Sequence, residues 1–263
     1  MFEAWELLAA WGALTTRVRL GTLVTGNTYR HPPVLAKMVA TLDHITNGRA
    51  MLGLGAAWHE GEHAMYGLRF PTTGGRLARM DEAARVLRLL LDEPIASFAG
   101  KHYVLTDAVA EPKPVQERLP LLIGGGGEQK TLRTVAKYAD YWHGHGTPEV
   151  IAHKLEVLAA HCAEVGRDVR EITALTSVRP DVVLRAKVRD VEAQLERVRT
   201  RSKRVEPMQM NPIHTVDALV ERCAALWHAG ARGFILYFMA PFDHETIERI
   251  ATEVRPKLEE AIA

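Results

Sequence analysis

The sequence predicts an α/β fold built on a parallel sheet. Three observations carry this: short apolar runs alternate with helical patterns, the runs are continuous rather than alternating in hydrophobicity, and polar or glycine-rich loops gather where each run gives way to a helix. Strand–helix alternation implies parallel pairing through right-handed crossovers. A near-continuous apolar strand is one buried on both faces.

Residues 3 to 16 read as a helix, with Trp5, Leu8 and Leu14 among its apolar positions and Thr15-Thr16 closing it. The first strand is Val18 to Thr25 (VRLGTLVT), and Pro32-Pro33 starts the helix after it, because Pro suits the first helical turn. That helix ends at Asn47-Gly48, where glycine takes the left-handed conformation a helix terminus favours. Ala50 to Gly55 (AMLGLG) is the second strand, followed by helical material near Glu60 to Tyr66 and again from Arg76 to Leu91. The third strand, Leu121 to Gly124, runs straight into a glycine run and a helix from Glu128 to Tyr138. A weaker fourth strand lies around Asp140 to His143, before a helix from Pro148 to Val165. Ile172 to Val178 and Gly233 to Phe238 (GFILYF) are the fifth and sixth strands, and an amphipathic helix from His244 to Ile262 closes the chain. Two connections are long, residues 56 to 110 and 179 to 213, the second carrying a charged segment from Arg185 to Arg204. Long connections in a compact domain tend to be lids or binding loops. Six strands suit an open doubly wound sheet as well as part of a barrel, which needs eight. Periodicity alone therefore decides the class and leaves the architecture open.

With 263 residues, 47% hydrophobic and 25% charged, the composition is ordinary for a globular protein, and the length is that of one α/β barrel domain, 1–263. Thirty-three basic and 32 acidic residues leave a formal charge of +1, which supplies no electrostatic footprint for nucleic acid. No apolar run approaches the ~20 residues that cross a bilayer, so no membrane partner is expected. The first residues, Met-Phe-Glu-Ala-Trp-Glu, carry acids where a secretory signal would carry Lys or Arg, and the expected location is cytoplasmic. Cys162 and Cys223 are far apart, each within a helical pattern, and read as buried thiols.

The strongest local signal is Ile123-Gly124-Gly125-Gly126-Gly127-Glu128-Gln129-Lys130-Thr131-Leu132. A strand, a glycine run and a helix start expose backbone N–H groups to an anion, and the helix dipole favours negative charge there. A Walker A loop requires Gly before its Lys, where this chain has Gln129. The dinucleotide fingerprint requires a Gly three residues after its second, which neither register supplies. Phosphate binding is the favoured reading, against a turn that merely needs glycines. His59-Glu60-Gly61-Glu62-His63 satisfies the zincin pattern H-E-x-x-H, which on a helix would let two imidazoles share a zinc with Glu60 as general base. Gly61 in mid-motif disfavours a helix there, and no third ligand stands out, so no metal is expected. His143-Gly144-His145 lies at the end of the fourth strand, the face where barrel active sites sit.

RVRLGTLVTGNTYRHP (Arg17 to Pro32), LAKMVATLDHITNGR (Leu35 to Arg49), LGLGAAWHEGEH (Leu52 to His63), EPKPVQ (Glu111 to Gln116) and LLIGGGGEQKTL (Leu121 to Leu132) come in an order and spacing that resembles the luciferase-like monooxygenase family. The threonine-rich first segment and the four glycines are most similar to its branch using deazaflavin coenzyme F420; reduced flavin mononucleotide (FMN) is the alternative cofactor. The resemblance runs from residue 2 to the C-terminus and weakens between about 180 and 212.

The resemblance implies a (β/α)₈ TIM barrel in which the six strands correspond to the third through eighth, so that the first two strands are expected to be missing. The strands flanking that gap would have unpaired edges, a dimerisation liability, and a homodimer is expected. Leu23 and Val24 fall where the family often has a bulged strand with a cis peptide bond behind the isoalloxazine-like ring. Thr25, Gly26 and Asn27 would line the ring pocket. Gly55 and the turn to Glu62 would pass near the cofactor's side arm, and Gly124, Gly125, Gly126 and Gly127, with Lys130, would take its phosphate. Asp43 belongs to a family motif read as structural, tying a helix end to the next strand. No catalytic residue is assigned, because the family's frequent catalytic His or Asp comes after its second strand. The function expected is hydride transfer between F420 and a small organic substrate. Its alternatives are a reduced-flavin monooxygenase, a zinc hydrolase acting through HEGEH, and an inactive truncated homologue.

Overall fold

The computed structural model describes residues 2–178, 182–201, 212–238 and 242–263. They divide into two compact units, one of residues 2–143 with 156–173, the other of residues 144–155 with the described residues from 174 onward. All six predicted apolar runs contain strand, and the pairings within each unit's main sheet are parallel.

In the first unit, helix α1 (Ala4–Leu14) is capped by the Glu3 carboxylate, which accepts the Glu6 N–H. It turns Trp5, Leu8 and Gly12 inward. Arg49 ties α1 to the start of the first apolar run: its guanidinium donates to the carbonyls of Gly12 and Thr15 and to that of Val18. The run Val18 to Thr25 is not one strand. It divides into β1 (Leu20–Gly21) and β2 (Thr25–Gly26), both paired with β3 (Ala50–Gly55). Between them the Leu23–Val24 peptide bond is cis. Here the chain presses on β3 so closely that a Cβ at Gly53 would lie 1.8 Å from the Thr22 carbonyl oxygen.

Helix α2 (Pro32–Thr46) starts at the proline pair and ends with Asn47 at φ 52° and Gly48 at φ 81°, a left-handed termination as the sequence suggests. Asp43 near its end is fully buried. One carboxylate oxygen accepts the Ala50 N–H at 3.2 Å and the Gln116 Nε2 at 2.8 Å; the other accepts the Gln116 N–H at 3.0 Å. The structural role expected for Asp43 is the one observed: it joins α2, β3 and the EPKPVQ segment.

β3 pairs with β6 (Leu121–Gly124), and β6 with β7 (Tyr141–Gly144). Leu52, Leu54 and Ile123 are wholly buried in this sheet. Helix α3 (Glu60–Met65) comes after β3, and α4 (Thr73–Asp92) begins earlier than expected because Thr72 caps it, accepting the Gly75 N–H. An antiparallel hairpin, β4 (Ala96–Ala99) with β5 (Val104–Ala108), occupies the long connection and is not foreseen from the sequence. Its residues are mostly exposed, so it carries little of the apolar signal that marks a buried strand. Helix α5 (Thr131–Tyr138) starts three residues later than expected; Glu128 to Lys130 form a turn closed by the Leu132 N–H on the Gly127 carbonyl.

Beneath this sheet, the buried Arg88 of α4 bonds the Asp140 carboxylate, the Tyr138 carbonyl at 3.0 Å and the Leu119 carbonyl at 2.9 Å. Asp140 also accepts the Leu121 N–H at 2.8 Å. This network sets the starts of β6 and β7, and therefore where their other ends emerge.

Helix α6 (Pro148–Glu164) belongs in part to each unit. In the second unit, β8 (Thr173–Ser177) pairs with β9 (Gly233–Ile235). Helices α7 (Val188–Arg201) and α8 (Val216–His228) lie between them in sequence. The charged segment becomes α7, with residues 202–204 outside the described ones. The last helix is not continuous: α9 (His244–Arg249) passes through a π segment, Ile250–Val254, into α10 (Arg255–Ala261). Pro256 brings no N–H to the regular α ladder here. Cys162 and Cys223 are buried free thiols, and burial pushes the Cys223 thiol up to about 11. Among the described residues no helix is long and apolar enough to cross a membrane.

Candidate cofactor site

The ends of β2, β3 and β6 bring predicted site residues together in the first unit. Val24 is the centre of this cluster. A Cβ at Gly55 would lie 2.5 Å from Val24 Cγ2, and one at Gly124 would lie 3.1 Å from Val24 Cγ1. Two glycines from separate motifs thus make room for one side chain on the bulge. Leu23 projects outward, 42% exposed.

Thr25 and Asn27 are buried. The Thr25 hydroxyl accepts the Trp5 indole N–H at 2.9 Å, which ties the pocket wall to α1. Asn27 donates from Nδ2 to the Arg76 carbonyl at 3.1 Å. Its Oδ1 is buried and has no partner. An unpaired buried acceptor is costly and marks a place that an N–H donor would satisfy. Gly26 stands against Tyr29 and Ala57, a Cβ there lying 3.0 Å from the Tyr29 ring.

Glu60 to His63 of HEGEH lie in α3, Gly61 included, so the expectation that Gly61 disfavours a helix there is not met. His59 is the N-cap of α3 rather than part of it, and its Nδ1 accepts the Glu62 N–H at 3.1 Å. His63 is buried, with Nδ1 at 2.8 Å from the His59 carbonyl and Nε2 at 2.7 Å from the Thr28 hydroxyl. A carbonyl only accepts, so Nδ1 of a neutral ring carries the proton and Thr28 donates to Nε2. Both imidazole nitrogens of His63 are thereby engaged with the protein. Glu62 accepts the Tyr29 phenol at 2.5 Å. Burial, then this bond and the Glu62 charge, push the Tyr29 phenol up to about 12. No group of three or more potential ligands that could hold a metal ion occurs among the described residues.

The glycine loop has two parts with different duties. Gly125 is pinned by β7: its N–H donates to the His143 carbonyl at 3.0 Å, its carbonyl accepts the Trp142 indole at 2.8 Å, and its φ is 133°. Its N–H is therefore not offered outward. Gly126 and Gly127 are exposed, and α5 begins beyond them with no side-chain cap. Lys130 is exposed, and its Nζ lies 3.7 Å from where a Gly74 Cβ would stand, in the first turn of α4. One ammonium thus sits near two helix N-termini, an arrangement suited to an anion.

The structure also shows what the sequence did not single out. A cavity of about 580 Å³ beside this cluster is lined by Thr28, Arg69, Arg79 and His102 among others. Most of these residues come from the long connection between β3 and β6, where the composition hinted at a binding loop without saying which side chains converge.

A bulged parallel strand thus stands beside a glycine loop at the ends of a parallel α/β sheet. The sequence model described as luciferase-like monooxygenase matches residues 1–242, and the chain belongs to that family. An uncharacterized protein of Mycobacterium tuberculosis is 33% identical over 166 residues, 63% of this chain and 58% of that protein. The pyrimidine monooxygenase RutA of Stutzerimonas stutzeri is 33% identical over 175 residues, 64% of this chain and 47% of that protein. The F420-dependent glucose-6-phosphate dehydrogenase of Kineococcus radiotolerans is 40% identical over 128 residues, 48% of this chain and 36% of that protein. Each match spans less than two thirds of the relative's own length.

Among solved structures, the coenzyme F420 dependent tetrahydromethanopterin reductase of Methanopyrus kandleri has a TM-score of 0.78 at 18% identity, covering 98% of this chain and 88% of its own. A monooxygenase from Streptomyces bottropensis has a TM-score of 0.81 at 18% identity, covering 97% of this chain and 83% of its own. These likenesses show the fold. The family holds both F420-dependent and flavin-dependent members.

Proposed function

We propose that the protein is an oxidoreductase that holds F420 for hydride transfer to or from a small organic substrate. The observation that carries this reading is the buried, unpartnered Asn27 Oδ1 beside the Val24 bulge. A deazaflavin ring has an imide N–H, the donor this acceptor lacks. Leu23 to Asn27 would hold the ring, and Gly126 and Gly127, with Lys130, its phosphate. The bound coenzyme would supply the hydride-carrying carbon; the protein's share is binding, orientation and exclusion of water. The likeness to an F420-dependent dehydrogenase supports this choice.

A flavin ring carries the same imide N–H. A reduced-FMN monooxygenase is therefore the second reading, supported by the likeness to RutA.

Titrating F420 and FMN separately by fluorescence tests both. Gly126→Val is the informative variant, since Gly126 is exposed and its φ is not in the left-handed region. Gly125→Val would strain the backbone whatever binds. Gly126→Val is expected to abolish tight binding without lowering the melting temperature. Lys130→Ala, an exposed charge worth ~0.2–1 kcal/mol, is expected to weaken it by no more than about fivefold. Unchanged affinity in Gly126→Val removes the phosphate assignment. Clear preference for FMN moves the function to the monooxygenase reading.

A further inference from the structure

The cavity beside the cofactor cluster has a chemical character of its own. Arg69, Arg79 and His102 line it, none of its lining residues is acidic, and Gly75 brings it to the start of the 20-residue helix α4. Two carboxylates outside the lining are held by neutral donors: Glu82 accepts the backbone N–H groups of Lys101, His102 and Tyr103, and Glu62 accepts the Tyr29 phenol. Arg79 is held against the Tyr103 ring, 5.3 Å from its centroid, and its Nε is buried with no partner. Arg69 is exposed and makes no hydrogen bond or ion pair among the described residues. Two arginines line a concavity of about 580 Å³ whose lining holds no acidic residue, and such a volume suits a small molecule. The Thr28 hydroxyl proton is directed to His63, so the donors facing the cavity are the arginines and His102.

We infer that this cavity binds an anionic small molecule, through a phosphate or carboxylate group gripped by Arg69 and Arg79. None of the lining residues belongs to the glycine loop, although Lys130 reaches the same first turn of α4; the inference does not depend on which cofactor the protein uses. A guanidinium beside the positive end of a long helix is the arrangement that recognises such groups.

Isothermal titration at low salt with pyrophosphate and with citrate distinguishes the two anion chemistries, with glucose as the neutral control. One or both anions should bind one per chain, more weakly as salt rises, and glucose should not bind. Arg69→Gln and Arg79→Gln should each weaken binding about tenfold or more, as expected for a hydrogen bond to a charged group. Arg79→Lys should retain more affinity than Arg79→Gln. Arg69 is exposed, so its substitution carries the test even if Arg79→Gln fails to fold. Failure of both anions to bind, or unchanged affinity in Arg69→Gln, overturns the inference. Loss confined to Gly126→Val and Lys130→Ala also overturns it, because the anion would then sit on the glycine loop. Anion binding in a protein that takes neither F420 nor FMN would leave this site standing and remove the cofactor reading.

Discussion

A single hydrogen bond, from the Asn27 side-chain nitrogen to the Arg76 carbonyl at 3.1 Å, decides which way the Asn27 amide faces. The donor end is consumed by α4, so the acceptor end is left in the pocket. Had the amide been free to flip, its orientation would carry no information.

Asn27→Leu tests the consequence. The unliganded protein should lose only about 1 kcal/mol, because the variant gives up one hydrogen bond and also removes an unpaired acceptor. Cofactor affinity should fall between about twofold and tenfold, the value of one hydrogen bond. Thermal melts and fluorescence titration measure the two effects. Unchanged affinity would mean that Oδ1 does not meet the ligand.

Thr28→Val should destabilise the protein by about 1–3 kcal/mol, since it leaves a buried imidazole nitrogen without its donor. Thr28→Ser should restore most of the loss. Urea denaturation reads both. A Thr28→Val protein as stable as the parent would show that the hydroxyl does not donate to His63.

HEGEH should bind no zinc. His63 uses both ring nitrogens on Thr28 and His59, and His59 caps α3 instead of sharing a face with His63. Metal analysis of purified protein checks this; stoichiometric zinc that disappears in His63→Ala would contradict it.

Asp140→Asn should cost about 1.5–3 kcal/mol, the value of hydrogen bonds to a charged group, because Arg88, whose side chain is 9% exposed, keeps the Tyr138 and Leu119 carbonyls and Asp92 at 4.0 Å. Burial alone would raise the Asp140 carboxyl, but Arg88, the Leu121 N–H and Arg118 hold it below the usual carboxylate range. A group depressed on folding stabilises above its unfolded pKa, about 3.9, and that contribution is lost as pH falls through the folded value. The native protein should therefore lose stability below about pH 4 more steeply than Asp140→Asn does. Equal slopes in urea denaturation at pH 7 and pH 3 would show that the pair is not coupled.

At high pH the sign reverses. Tyr29 ionises near 12 when folded, against an ordinary value of 10.0. Between those values the folded state keeps a proton that the unfolded state has released, so stability falls as pH rises through the window. Burial raises the Tyr103 and Tyr138 phenols as well, so absorbance titration at 295 nm should show several late phenols, of which Tyr29→Phe removes one and Glu62→Gln brings that same one down. A Tyr29→Phe spectrum lacking only a phenol of ordinary pKa would show that Glu62 does not hold it.

The sequence by itself determined the α/β class, the order of the six parallel strands and the family. Continuous apolar runs such as AMLGLG and LLIG are local signals, read without knowing what they pack against. Through its family resemblance it also singled out Asp43 as structural and the bulge at Leu23–Val24. Tertiary structure decided the rest, because the rest depends on neighbours distant in the chain. Only the approach of Thr22 to Gly53 divides the first strand, and only the β7 partners of Gly125 take its N–H away from the loop surface. Helix α5 starts at Thr131 because Glu128 to Lys130 close a turn, which composition does not reveal. The β4–β5 hairpin and the Arg69–Arg79 cavity are assembled from exposed or half-exposed residues. Hydrophobic periodicity reports burial, and it is silent where charged side chains meet across a fold.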